Sequence, residues 1–216
     1  MSPSRFLGLP LALTLLAGGC VHKGDIDVEN GVGITAVRSA CPRVEVAAGT
    51  GDITLFDPPA AQTADAIDVV AVITNVRGAC NDAADPIAST VSFDVDARRR
   101  DAGPARDLTL PFFLTVVQGG NAVVAKRVGH VALHFDAGQL RAHAAGSAGA
   151  TVSRAAATLP DDVRRRLTEK RKAGQEDAAI DPLTRPEVRS AVLRATFEAL
   201  VGFQLTQDQL KYNATR

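Results

Sequence analysis

The sequence has no tryptophan, one tyrosine (Tyr212) and eight phenylalanines in 216 residues. A carbohydrate or single-strand platform built on ring stacking therefore has little to work with. It also lacks a surplus of charge, because 24 basic and 24 acidic side chains cancel. A general nucleic-acid binder needs excess Lys and Arg to release counterions, so nucleic acid is not an expected partner. No apolar run reaches the ~20 residues that cross a bilayer as a helix. CxxC, HExxH, GKS or GKT and GxSxG are all missing, which removes familiar zinc, phosphate-loop and serine-hydrolase signatures. No period of roughly 20–50 residues recurs, excluding solenoids and propellers. With 46% apolar and 22% charged residues, the composition is that of a globular protein and not of a disordered or collagen-like chain.

What is present begins at the N-terminus. Arg5 is followed by the apolar run Phe6–Leu16 and then by Ala17-Gly18-Gly19-Cys20. A positive start, a short apolar stretch and small residues before a cut are the parts of an export signal. The string LLAGGC resembles the lipobox of bacterial lipoproteins. It departs in one place: Ala17 stands three residues before the cysteine, where that family prefers Leu, and Leu16 lies one step further out. The resemblance implies cleavage between Gly19 and Cys20, with Cys20 acylated on both sulfur and nitrogen. Each buried methylene contributes ~0.8 kcal/mol, so three chains hold where one is marginal. In that family an Asp after the cysteine commonly retains the protein in the inner membrane. Here Val21 and His22 follow, which implies the outer membrane, periplasmic face. Residues 1–19 thus read as a signal peptide and 20–40 as a lipidated cysteine and tether.

An exported protein meets an oxidising compartment. With Cys20 taken by lipid, Cys41 and Cys80 are the remaining thiols, and their parity predicts a disulfide. Closing a loop of about 40 residues would contribute roughly 4 kcal/mol on the chain-entropy model.

From Pro42 the apolar period becomes two. Val44 and Val46, then Ile53 and Leu55, alternate with polar neighbours across the turn signal Gly49–Asp52. Ile67–Val76 is β-branched almost throughout and predicts a strand buried on both faces, with a loop from Gly78 to Pro86. Thr90–Arg100 predicts a strand with Val91, Phe93, Val95 and Ala97 on one side and Ser92, Asp94, Asp96 and Arg98 on the other. Leu108–Val117 contains Pro111, which suggests an edge or a bulge. Gly119-Gly120-Asn121 signals a tight hairpin into Ala122–Phe135. Leu140–Ala145 and Thr151–Ala156 predict one more hairpin. About seven to nine short strands between Pro42 and Thr158 predict an antiparallel β-sandwich of immunoglobulin or fibronectin type over 41–158.

After Pro160 the period changes, so the fold class is mainly β with C-terminal helices (α+β), residues 159–216 forming the helical segment. Asp161 and Asp162 open a helix expected to end at Gly174. A second helix starts near Arg185-Pro186. Val188, Val192, Ala195, Ala199 and Phe203 form its apolar stripe, widened by Leu193, Phe197, Leu200 and Val201. Thr206–Gln209 reads as a capping box for a last helix, Asp208–Tyr212. These helices are expected to pack on the sandwich.

Candidates for chemistry are few. His130, His134 and Asp136 sit at period two and could offer two imidazoles and a carboxylate to zinc, with His143 opposite across the Asp136–Gly138 turn. Same-face side chains on a strand are ~6.6 Å apart, loose for one metal, and a polar solvent face is the plainer reading. Asp94 and Asp96 would need an apolar pocket to act as a glycosidase pair. Ser147 lies in GSAG, which is not a nucleophile elbow. Arg164, Arg165, Arg166, Lys170, Arg171 and Lys172 could contact anionic lipid or an acidic envelope protein, or form a solvated helix face.

Two longer stretches, Gly51–Pro59 and Leu200–Leu210, make the body similar to uncharacterised envelope lipoproteins of Gram-negative bacteria, a similarity that brings no activity with it. The sequence therefore predicts a membrane-anchored, non-enzymatic binding or structural module without a cofactor. The alternative is a metal-dependent hydrolase using the His130, His134 and Asp136 face.

Overall fold

Alternation of apolar and polar residues becomes eight strands in the computed structural model, which describes residues 39–169, 174 and 180–215. The expected signal, Cys20, Lys170, Arg171 and Lys172 lie outside the described residues. In chain order the strands are β1 (Arg43–Val46), β2 (Asp52–Phe56), β3 (Ile67–Asn81), β4 (Ile87–Arg99), β5 (Arg106–Gln118), β6 (Ala122–Phe135), β7 (Arg141–Val152) and β8 (Phe197–Phe203). The helices are α1 (Arg154–Ala157), α2 (Asp161–Thr168), α3 (Pro186–Arg194) and α4 (Gln207–Thr215). None of the described helices is long and apolar enough to cross a membrane.

The strands form two four-stranded sheets, ordered β1-β8-β5-β6 and β2-β3-β4-β7. All pairs are antiparallel except β1 with β8. Inward side chains of both sheets make one core, in which Phe93 of β4 meets Phe112 of β5 edge-on at 4.9 Å between ring centroids. The chain is thus mainly β with a few helices, as the composition of periods implied. The inward set expected for β4 is the buried set: Val91, Phe93 and Val95 are fully buried and Ala97 nearly so. The bridge between Cys41 and Cys80 is formed, with Cα atoms 6.1 Å apart. It ties the residue pair before β1 to the far end of β3, and hence one sheet to the other. Replacing both cysteines with Ala should lower stability by roughly 2–5 kcal/mol. Urea unfolding of the double variant checks this, and an unchanged midpoint would refute it.

Six expectations need correction. Residues 197–203, read as the second half of a helix, are the strand β8, inserted between β1 and β5. β3 is buried on one face only, Val69, Ala71 and Ile73 pointing inward while Val72 is exposed. It also continues through the expected loop, since Gly78–Asn81 pair with Ala88–Val91. Leu140–Ala156 holds no hairpin: β7 runs unbroken along β4. Gly146 is there because a Cβ would run into the buried Phe93 ring, not because the chain turns. β5 is an interior strand, yet it tolerates Pro111 for a local reason. The Pro111 carbonyl accepts from the Gln204 amide at 2.9 Å. Its nitrogen faces that same side, past the end of β8, so the missing N–H costs no ladder bond. Finally, α2 ends at Thr168, short of Gly174.

The C-terminal helices behave differently from one another. Val163 and Leu167 of α2 pack with Val188 and Ala191 of α3 in a small apolar cluster of their own. This cluster is pinned to the hairpin β5–β6, where Gln118 Nε2 donates to the Arg194 carbonyl at 2.6 Å and the Gly119 amide to Thr196 at 3.0 Å. The hairpin turn is the expected one, with Gly119 and Gly120 at φ 65° and 82°. The capping box of α4 is also formed: the Thr206 amide donates to Gln209 Oε1 at 2.9 Å and the Gln209 amide to Thr206 Oγ1 at 3.3 Å. Asn213 of α4 donates to the Gly49 and Asp52 carbonyls, seating the helix beside β2.

Candidate functional site

The histidines of β6 are not gathered around one point. His134 lies between two carboxylates, its Nδ1 2.6 Å from Asp107 of β5 and its Nε2 3.5 Å from Asp136. All three side chains are exposed. His130 stands opposite Pro111 and takes no part in that cluster. His143, expected across the turn, belongs to the other sheet, where its Nδ1 meets Asp96 at 3.0 Å. Among the described residues no group of three or more His, Cys, Asp or Glu side chains is placed to hold a metal ion.

The outer faces instead carry pairs. Asp96 accepts from Thr74 Oγ1 as well as facing His143, and Asp94 accepts from Asn75 Nδ2 at 2.6 Å. The His143 and Thr74 hydrogen bonds hold the Asp96 carboxyl below its ordinary range. Conversely, the hydrogen bond His134 makes to Asp107 raises His134 above its ordinary value, and the bond to Asp96 raises His143. A histidine raised in the folded state adds stability that is fully present below its unfolded pKa and is lost as pH rises through the folded pKa. The His134–Asp107 pair should therefore help in mildly acid solution and fade towards neutral and alkaline pH. An NMR titration of the His134 ring should give a raised midpoint that Asp107→Asn returns to normal; an unmoved midpoint would count against it.

Two of the three described arginines of the basic segment are engaged. Arg164 pairs with Asp161 at 2.6 Å and Arg166 with Glu187 of α3 at 3.5 Å. Arg165 alone of this run has no ion pair among the described residues. Ser147 is on β7, opposite Ser92, with no base beside it among the described hydrogen bonds.

What the sequence reading missed is the free edge of β6. This strand ends its sheet. From Val131 to Phe135 it buries alternate residues, but Ala122–Val128 is exposed on both faces. Val123, Val124 and Val128, at 64%, 51% and 55%, are the most exposed large apolar side chains among the described residues. Long exposed apolar edges are what folded proteins normally shield, because their unpaired N–H and C=O groups template another strand. The available signal was the run AVVAKRV, which holds three Val but lacks the clean alternation of Val131–Phe135. No family model matches the chain, and no curated protein or solved structure does either.

Proposed function

We propose that this chain is a lipid-anchored module of the outer membrane, facing the periplasm, that acts by binding a partner and not by catalysis. One observation carries the reading. The sequence has three cysteines, two of them are joined as Cys41–Cys80, and the third is the cysteine of LLAGGC. A disulfide suits an oxidising compartment, and the leftover thiol stands where a lipoprotein carries its acyl chains. The exposed edge of β6 supplies a surface for a partner. A two-sheet scaffold is also the architecture of immunoglobulin- and fibronectin-type modules. Our reading takes from that likeness the two-sheet architecture alone, since the order β2-β3-β4-β7 replaces the ABED arrangement of those domains.

The test is Cys20→Ala followed by fractionation of cells fed labelled palmitate. The parent should carry label and sediment with the membrane, and the variant should do neither. A variant retained as fully as the parent, with the parent unlabelled, would overturn the anchor. Metal analysis of the purified protein addresses the rest: stoichiometric zinc bound through His130, His134 and Asp136 would replace the binding module with a hydrolase.

A further inference from the structure

Beneath the exposed half of β6 the two sheets part. A cleft of about 470 Å³ opens there between Arg127–Gly129 of β6 and Ser147–Thr151 of β7, with Phe112 at its back. The inward residues of β7 that line it, Ala148 and Ala150, are small. A second feature points to an occupant. Ser89 of β4 lines the cleft, is 5% exposed, and its Oγ has no hydrogen-bond partner among the described residues. A buried hydroxyl is normally satisfied, so one left over at the wall of an open cleft is a polar contact in waiting.

The register says which backbone groups are on offer. Pro111 and Phe113 direct their main-chain groups to the β8 side, as the Gln204–Pro111 bond and the Phe113–Gly202 pairing require. Their partners across the ladder, His130 and Val128, therefore direct theirs away from β5, to the side where no strand pairs with β6. Lys126, opposite Thr115, does the same. The charge on this edge is of one sign. Lys126 lies over the Phe113 ring at 4.9 Å, Arg127 has no ion pair among the described residues, and no acidic side chain lines the cleft.

We propose that the free edge of β6 takes an extended segment of a partner protein, rich in β-branched residues and carrying two adjacent acidic residues. Its main chain pairs with Lys126 and Val128. Directly opposed residues share a face, so the two acids face Lys126 on the outer side and Arg127 on the cleft side. Apolar residues flanking the acids lie beside Val124 and Val128, and the one opposite Gly129 fills the cleft over the small residues of β7. A polar group of the segment reaches Ser89. This is strand addition to a sheet edge, where main-chain bonds give affinity and alternate pockets give selectivity. The inference rests on the reading of the chain as a binding module; acylation of Cys20 does not involve β6, so the two fail separately.

The probe is a capped octapeptide, TVVEDTVT, added to the purified full-length protein. Saturable binding is expected, with slowed amide exchange in Ala122–Gly129, and the charge-reversed TVVKKTVT should bind roughly tenfold more weakly or worse. Val128→Pro removes an edge-facing N–H without removing a β5–β6 bond, so it should abolish binding with the melting temperature little changed. Arg127→Glu, which makes no demand on the backbone, should weaken TVVEDTVT and favour TVVKKTVT. Absence of saturation at roughly millimolar peptide, equal affinity for both peptides, or protection appearing along Arg141–Val152 instead would overturn the proposal. So would sedimentation showing that the free protein already dimerises through β6, since the occupant would then be a second copy.

Discussion

Ending the chain at Thr196 should leave no cooperatively folding sandwich. In the sequence residues 197–216 read as helix packed on the sandwich, but β8 is a strand interior to its sheet, with β1 on one side and β5 on the other. Phe197, Ala199, Val201 and Phe203 point into the core, the last three fully buried. Each large side chain among them contributes ~1.5–3 kcal/mol by burial, so three account for about 5–9 kcal/mol, comparable with the ~5–15 kcal/mol that holds a whole domain. The ladder bonds of Phe112–Gln118 would be opened as well, and β1, paired only over Arg43–Val46 with β8, would have no sheet to join. A thermal melt followed by far-UV circular dichroism should show no sigmoidal transition. A truncated protein that melts as sharply and as high as the parent would show that the core lies elsewhere. The milder Phe203→Ala should keep the fold and cost roughly 3–5 kcal/mol.

The misreading of β8 has a specific cause. Ala195, Ala199 and Phe203 are spaced by four, and four is a multiple of two as well as close to one helical turn. Such a triplet fits a strand face and a helix stripe equally. The deciding residues lie between: Phe197 and Val201 complete the period of two, whereas Glu198 and Leu200 are half-buried on the other face. The true helix ends before them, where the Thr196 amide donates to Leu193. Legibility was high where one face is wet, as in β4 and in Val131–Phe135, because solvent enforces alternation there. It was lower where glycine serves packing. Gly146 and Gly149 punctuate the sequence of β7 like turn residues, yet both lie in an unbroken ladder with β4. The candidate site was hardly legible at all. A free strand edge is defined by the absence of a neighbour, and only the strand order reveals which strand lacks one.

Arg99→Met should cost at least about 3 kcal/mol, although the residue sits in a run of three arginines that reads as solvated surface. The period of two already placed it otherwise: Ala97 points inward, so Arg99 must follow, and it is 4% exposed. Its guanidinium meets main-chain carbonyls instead of a carboxylate. Nε donates to Gln139 at 2.7 Å, Nη1 to Pro104 at 2.7 Å, and Nη2 to Gly103 at 3.0 Å and Asp136 at 3.1 Å. The Phe135 ring lies beneath, its centroid 5.3 Å from the guanidinium carbon. One side chain thus joins the β4–β5 connection to the β6–β7 turn, and four carbonyl dipoles offset the cost of burying its charge. Met keeps the aliphatic stem but leaves those carbonyls without a donor, and a buried group so orphaned costs ~1–3 kcal/mol. Water entering from the two surface turns would satisfy some of them, which is why the expected loss is well below four times that figure. Lys retains the charge but cannot span the fork, so Arg99→Lys should fall between Met and the parent. Urea unfolding gives the magnitudes. Limited trypsin digestion gives the location, with new cuts expected at Arg100 and Arg141, which flank the two loosened connections. If Arg99→Met unfolds within ~0.5 kcal/mol of the parent, the clamp does not hold these turns.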